Sequence, residues 1–468
     1  MRKGTQVLLL VLVYVVGAWT AARLGWVAED ASGFDALRAR FAPAPATPSS
    51  ALRDRTAASL PTRAADPAVV LPRAASSTTT TTSASAAAAV PPPGSWDAWR
   101  AKLRARRAGA PGRVRVLQLG DSELIADGPS REVRARLQAV YGDGGPGFVP
   151  IASPVRYYDH QHFAPRSGRG LTAYRFVHGK LDDGDYGPTG VAFVATPGAE
   201  ASIDVRDGPS GRCHLRLHYA EAPGGGRVVV RADDREVLAR TTDGPVWRHR
   251  TASVDVLPCP QRLSTTVSDG PARLYGFELE HDGDDGLVWS TMGVLGARLD
   301  QFEHYGVGRL EPALAAMRPD LLVVNFGLNR AAGPWRPPAT YPERARGVLE
   351  RLRAAVPLAA CLVVGPYPCG DPKRGLGRVS AGVGAAQRRA ASEAGCAFMD
   401  RFQLAGGASQ ILTWRSHRLP MLSGDYTHLT RAGATRMGQA MADVLLATFD
   451  GRPVAGTPLS LAPGAADR

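Results

Sequence analysis

Four short segments of this sequence carry residue types that acyl chemistry uses. Gly120-Asp121-Ser122 sits where an apolar run, 114–119 (VRVLQL), ends. A Ser at the carboxyl end of a strand presents its hydroxyl at the edge where open α/β sheets bind ligands. Asp425-Tyr426-Thr427-His428 lies just before the last helical pattern. A D-x-x-H turn lets the carboxylate reach back to one imidazole nitrogen and leaves the other facing a nucleophile. Gly327-Leu328-Asn329 follows the apolar run 321–326 (LLVVNF), and a Gly-rich turn runs from Gly293 through Gly296 to Arg298. Close-approach backbone with a neutral amide donor meets the requirements of an oxyanion hole. Each piece alone has a plainer reading: a turn-capping Ser, an Asp near a helix start, an Asn/Gly turn.

Positioning these residues requires a sheet whose strand ends converge. The segment 114–119 reads as a short strand with alternating apolar residues, 321–326 and 361–365 (CLVVG) as buried parallel strands, and 397–400 as another short one. Between them lie amphipathic helical patterns over 130–140, Leu310–Met317, Tyr341–Ala355 and 385–394, with a last helix over 430–449. From 155 to 285 the texture changes. Short β-prone runs at 191–194, 214–219, 227–230, 254–257 and 275–280 recur at about ten-residue spacing, the pattern of an antiparallel sandwich. The expected fold is α/β: a doubly wound, flavodoxin-like parallel sheet over 95–154 and 286–450, with an antiparallel β-sandwich inserted at 155–285.

The N-terminus carries a targeting pattern. Arg2 and Lys3 precede the apolar run 7–18. Residues 1–27 read either as a cleaved signal peptide, with Thr20-Ala21-Ala22 as its small-residue site, or as an uncleaved membrane anchor. Both export the remainder, to the periplasm or cell envelope. Residues 28–94, rich in Ala, Pro, Ser and Thr, cannot bury a core and read as a disordered tether. Folding is expected from Trp96-Asp97-Ala98-Trp99, which opens a basic helix to about Arg107. Residues 451–468 read as a flexible tail.

The net charge is +13, nearly all of it from Arg, since Lys occurs only at Lys3, Lys102, Lys180 and Lys373. No zinc finger, RNA-binding signature or Lys/Arg block accompanies it, so nucleic acid is not an expected partner. A basic surface suits an anionic polymer. The five cysteines show no C-x-x-C and no metal spacing, and the odd count leaves at least one thiol unpaired within the chain. Cys213 and Cys259 are a candidate pair in an exported chain. Asp159-His160-Gln161-His162 has a metal-site look but lacks a third identifiable ligand. Asp400, at a strand end, is a rival carboxylate for His428, ranked below Asp425; His417 reads as surface.

The four segments taken together, in this order, resemble the SGNH (GDSL-type) hydrolase superfamily. The opening VRVLQLGDSELIADGPSREVRARLQAVYGDGGPGFV and the block GVLGARLDQF look like its cell-envelope branch, which includes peptidoglycan O-acetylesterases with a carbohydrate-binding-like sandwich between those blocks. The resemblance spans about 113–446 and is patchy within the insert. It implies Ser122 as nucleophile, Asp425 and His428 as the other catalytic residues, and an oxyanion hole of Ser122, Gly296 and Asn329. It also implies an O-acetylated envelope glycan as substrate, with no cofactor and no metal. An O-acetyltransferase using the same triad, and a non-catalytic glycan-binding protein, are the alternative readings. Two positions depart from the branch. Glu123 stands where His is frequent, and Arg330 where an acidic residue is common. Glu123 is expected either to face solvent or to point inward and oppose an oxyanion.

Overall fold

The computed structural model describes residues 69–70, 96–206, 211–283, 285–332, 337–370 and 377–450. The leader at 1–27, the tail at 451–468 and the tether at 28–94, apart from Val69–Val70, lie outside the described residues. Among the described residues no helix is long and apolar enough to cross a membrane.

The core strands are β1 (Gly112–Gly120), β2 (Asp285–Gly293), β3 (Leu321–Asn325), β4 (Ala360–Val364) and β5 (Ala397–Met399). They lie side by side in the order β2-β1-β3-β4-β5, all parallel. This is the doubly wound order with its topological switch between β1 and β3. Val69–Val70 pair antiparallel with Met399 and Phe398 at the far edge, a strand that the tether's composition does not announce. Every residue of β3 and β4 is buried, so these strands read as continuous apolar runs rather than alternating ones.

The longer helices are α1 (Trp96–Arg107), α2 (Gly128–Tyr141), α3 (Leu310–Met317), α4 (Tyr341–Ala355), α5 (Arg378–Glu393) and α6 (Arg431–Phe449). α2 buries Val133 and Leu137 and packs on α6, which buries Met437, Met441, Val444 and Leu445. α5 begins seven residues before the expected 385, because 378–384 continue the helical face with Val383 buried. Thr430 caps α6, its Oγ accepting the Gly433 N–H at 3.1 Å.

The insert forms two antiparallel sheets. One orders Arg235–Thr241, Arg227–Ala232, Arg262–Ser268, Glu200–Val205 and Phe163–Ser167; the other orders Arg248–Val256, Cys213–Glu221, Ala272–His281, Val191–Ala195 and Leu171–Arg175. Gly147–Pro150 also pairs with Ala272–His281, so the insert's sheet recruits chain from before residue 155. The strands Arg235–Thr241, Glu200–Val205 and Leu171–Arg175 escape the sequence reading because they are polar and partly exposed. Arg113 and Arg115 on β1 reach across to the buried Glu280 of the insert, at 3.0 Å and 2.7 Å. Burial opposes the Glu280 charge, but the hydrogen bond and charge of Arg115 outweigh it and hold the carboxyl below its ordinary value.

Cys213–Cys259 are bridged within the insert, and Cys361–Cys396 bridge the neighbouring strand regions of β4 and β5. Cys369 is free and buried. The second bridge is not visible in the sequence, because β4 and β5 become neighbours only in the sheet. It closes a loop with a sequence separation of 35. Cys361→Ala/Cys396→Ala is expected to lose about 3–4 kcal/mol of stability by loop-closure entropy. Denaturant unfolding of the oxidised wild type beside the double variant measures it, and equal midpoints would refute the estimate.

Candidate active site

The site begins at the carboxyl end of β1. Two glycines let the Ser122 turn pack tightly against the sheet. A Cβ on Gly120 would stand 2.5 Å from the Asn325 carbonyl oxygen, and one on Gly293 would stand 2.5 Å from that of Asp121. Asp121, fully buried, holds the turn. Its Oδ1 accepts the Glu123 N–H at 3.2 Å, and its Oδ2 accepts the N–H groups of Gly327 and Leu328, each at 3.2 Å. Burial, with the Glu123 charge adding, pushes the Asp121 carboxyl up to about 6. The Ser122 turn and the β3 turn are thus tied by one side chain.

The D-x-x-H segment sits just before α6. Asp425 Oδ1 accepts the backbone N–H groups of Thr427 (2.9 Å) and His428 (3.0 Å), and the Ser423 hydroxyl. Those bonds close the loop, with Tyr426 in the left-handed region at φ 56°. Asp425 Oδ2 lies 2.7 Å from His428 Nδ1, and His428 Nε2 lies 2.8 Å from Ser122 Oγ. Ser122 and His428 are 306 residues apart in the chain, and the fold brings them into hydrogen-bond contact. Burial works against the Asp425 charge, but hydrogen bonds from His428, Ser423 and Thr427 hold its carboxyl well below the usual range. The Asp425 hydrogen bond in turn raises His428 above an ordinary imidazole, against the effect of burial. The side chains of His428 and Asp425 keep 43% and 50% exposure, so water reaches the pair directly.

Gly296 lies in the turn after β2, and Asn329 in the short helix Leu328–Ala331 after β3. Asn329 Nδ2 donates to the Ala297 carbonyl at 3.0 Å, and the Val294 N–H donates to the Gly120 carbonyl at 2.9 Å. These bonds join the β2 turn to the turns after β1 and β3. One Asn329 amide hydrogen is used in this way, and among the described residues the second has no acceptor. Among the described residues, neither the Ser122 N–H nor the Gly296 N–H has a hydrogen-bond acceptor. Asn329→Ala is expected to lower kcat about 10²–10³-fold, the loss typical of one oxyanion donor, with KM little changed. Steady-state kinetics on an aryl acetate reads this, and an unchanged kcat would remove Asn329 from that role.

Glu123 does not face solvent. Its side chain is 3% exposed, and Arg401 Nη1 contacts both carboxylate oxygens, at 2.6 and 2.7 Å. Asn325 Nδ2 donates to Glu123 Oε2 at 3.1 Å. Of the two orientations open from the sequence, Glu123 takes the inward one: the carboxylate points into the fold, where a guanidinium meets its charge. Arg330 is likewise buried, paired with Asp300. Asp400 does not approach His428; its Oδ1 caps the helix Arg401–Leu404 through the Gln403 N–H, and its other oxygen pairs with Arg388. His160 is buried beside Arg134 and Asp127, and burial pushes its imidazole down to about 3. Among the described residues no three His, Cys, Asp or Glu side chains cluster as metal ligands. His417 Nδ1 accepts the Leu419 N–H within its own loop.

A cavity of about 400 Å³ opens beside Ser122 and His428, with Arg131, Glu132, Asp159 and Arg431 among its walls. Of the candidate oxyanion donors, Ser122 lines this cavity, and Gly296 and Asn329 are not among its walls. Sequence reasoning misses Arg401, Tyr367 and Asn325. The available signal for Arg401 is its position directly after a strand, at the carboxyl edge where the other site residues lie.

Residues 263–436 match the GDSL-like lipase/acylhydrolase family, a span holding Gly296, Asn329, Asp425 and His428 and beginning within the insert. A solved peptidoglycan O-acetylesterase superposes with a TM-score of 0.65 at 22% identity, covering 76% of this chain and 98% of its own. A family two carbohydrate esterase from Cellvibrio japonicus aligns at 12% identity with a TM-score of 0.25, over 62% of this chain and 98% of its own. An acetylxylan esterase from Geobacillus stearothermophilus aligns at 17% identity with a TM-score of 0.26, over 38% of this chain and 76% of its own. No curated protein matches the chain.

Proposed function

We propose, from the match of residues 263–436 to the GDSL-like lipase/acylhydrolase family, that the chain is an exported serine esterase removing O-acetyl groups from a cell-envelope glycan, with peptidoglycan first. The observation that carries this reading is the unbroken relay from Asp425 Oδ2 through His428 to Ser122 Oγ, at 2.7 and 2.8 Å. In that role His428 takes the Ser122 proton as Oγ attacks the acetyl carbonyl, and Asp425 stabilises the imidazolium. The N–H groups of Ser122 and Gly296, with the Asn329 amide, receive the oxyanion. His428 then protonates the leaving sugar oxygen, and water, free to enter beside the exposed imidazole, releases acetate from the acyl-enzyme.

Export is supported by the charged-then-apolar N-terminus and by two disulfides in the folded part, which persist in oxidising compartments. A glycan substrate is supported by the sandwich insert and by the shared architecture with a peptidoglycan O-acetylesterase. The test is acetate release by the full chain from O-acetylated peptidoglycan, with O-acetylated xylan and an added acceptor glycan in parallel. Release from peptidoglycan above the xylan rate supports the reading. No release from either polymer refutes it, and acetyl groups transferred to the acceptor instead of water assign a transferase.

A further inference from the structure

The catalytic reading uses neither Arg401 nor Tyr367, yet both are fully buried beside the site. Arg401 opens the short helix after β5, and Tyr367 lies in the segment after β4. The Arg401 guanidinium has three fixed contacts. Its Nη1 holds both Glu123 oxygens at 2.6 and 2.7 Å, its Nε donates to the Gly365 carbonyl at 2.7 Å, and its Cζ lies 5.1 Å from the centre of the Tyr367 ring. That last distance is within cation–π range. The Tyr367 hydroxyl donates to the Thr427 carbonyl at 2.7 Å. Glu123 adjoins Ser122, and Thr427 adjoins His428. One chain of contacts, buried at Glu123, Arg401 and Tyr367, therefore runs from the nucleophile turn to the loop that carries the base.

We propose that Arg401 is a positioning residue: it neutralises Glu123 beside Ser122 and, through Tyr367, locks the Ser122 turn to the 425–428 loop. The proposal rests on Ser122 and His428 acting as nucleophile and base. Two physical needs meet in it. A carboxylate next to the nucleophile opposes the negative charge that develops on the substrate oxygen, and a guanidinium whose Nη1 contacts both of its oxygens offsets it. The turn and the loop also come from opposite ends of the chain. The Ser122 Oγ–His428 Nε2 distance depends on something rigid between them, and a displacement on the order of 1 Å there costs about 10²-fold in rate. The carboxylates that raise His428 are Asp425, Asp121 and Glu123, with Arg401 the cation on Glu123; Arg131, Arg431, Glu132 and Asp159 line the neighbouring cavity.

The experiment uses the full chain with 4-nitrophenyl acetate as the ester and a fluorophosphonate as the label for Ser122. The variants are Arg401→Met, Glu123→Gln, the double variant and Tyr367→Phe, each checked for native thermal unfolding. Arg401→Met is expected to lower kcat about 10²-fold. It should also move the acid limb of kcat/KM to higher pH, because the uncompensated Glu123 charge favours imidazolium. Glu123→Gln moves that limb to lower pH, and the double variant recovers about tenfold of the lost kcat, since no unpaired charge remains. Tyr367→Phe, which removes one hydroxyl and keeps the ring, lowers kcat and labelling rate at unchanged KM and unchanged unfolding temperature. An Arg401→Met protein that is folded, with wild-type kcat and an unmoved acid limb, overturns the proposal. A double variant no faster than Arg401→Met does the same. Where Arg401→Met fails to fold, a Tyr367→Phe protein at wild-type kcat overturns it. A wild-type chain that neither takes the label nor hydrolyses the ester overturns the underlying function as well. A labelled, active wild type confines any failure to the bridge.

Discussion

Ser122→Ala is expected to lower kcat for acetate release on the order of 10⁶-fold, to the level supported by binding and oxyanion donors alone. The size of the loss follows from the geometry. Ser122 Oγ is the group within hydrogen-bond reach of His428 Nε2, at 2.8 Å. Without it, His428 loses the hydroxyl held at its Nε2. The variant should fold normally, because Ser122 opens a short 3₁₀ turn and the buried side chains that hold that turn are those of Asp121 and Glu123. Initial rates on 4-nitrophenyl acetate, fluorophosphonate labelling and thermal unfolding, measured side by side, test this. A variant that keeps more than about a tenth of wild-type kcat would remove Ser122 from the nucleophile's role, since no triad Ser is that dispensable.

Asp425→Asn carries the second-largest effect, about 10⁴-fold in kcat, through the tautomer of His428. Asp425 Oδ2 accepts the proton on Nδ1, which leaves the Nε2 lone pair facing Ser122. An Asn that turns its NH₂ toward Nδ1 forces the proton onto Nε2, where it cannot serve as base. The loop itself should survive, because the Asn oxygen can still accept the Thr427 and His428 N–H groups now held by Oδ1. The pH dependence supplies an independent check. His428 must be neutral to accept the Ser122 proton, so activity is lost as pH falls through its pKa. Asp425 raises that pKa above the ordinary imidazole value. The wild-type acid limb should therefore lie above that of free imidazole, and the Asn variant's residual activity should show a limb at lower pH. Equal limbs in the two proteins would mean that Asp425 does not act on the catalytic histidine.

Several features were readable in one dimension because their physics is local. The periodicity of α3 and α4 marks Leu310–Met317 and Tyr341–Ala355 over their full lengths, since a helix buries one face at fixed spacing. The runs at 321–326 and 361–365 mark β3 and β4, since a strand covered on both faces excludes polar residues. Strands of the insert such as Glu200–Val205 and Arg235–Thr241 were not legible, because their outer faces meet water and their alternation mixes with exposed charge. The candidate site divides in the same way. Ser122, Asp425, His428 and Asn329 lie in short-range patterns, each a turn at the end of a strand or the start of a helix, and the family resemblance of those segments singles out all five residues, Gly296 included.

The sequence by itself thus determined the α/β core with its sandwich insert and the short motifs that nominate an acyl-transfer site. The tertiary structure alone decided what lies between those motifs. It set Arg401 against Glu123, turned Glu123 inward, bridged Cys361 to Cys396 and directed Asp400 to Arg388 rather than to His428. The physical reason is sequence distance. Arg401 and Glu123 are 278 residues apart, and no local periodicity or turn preference couples residues that far apart. Their pairing exists only because parallel strands bring their carboxyl ends to one edge.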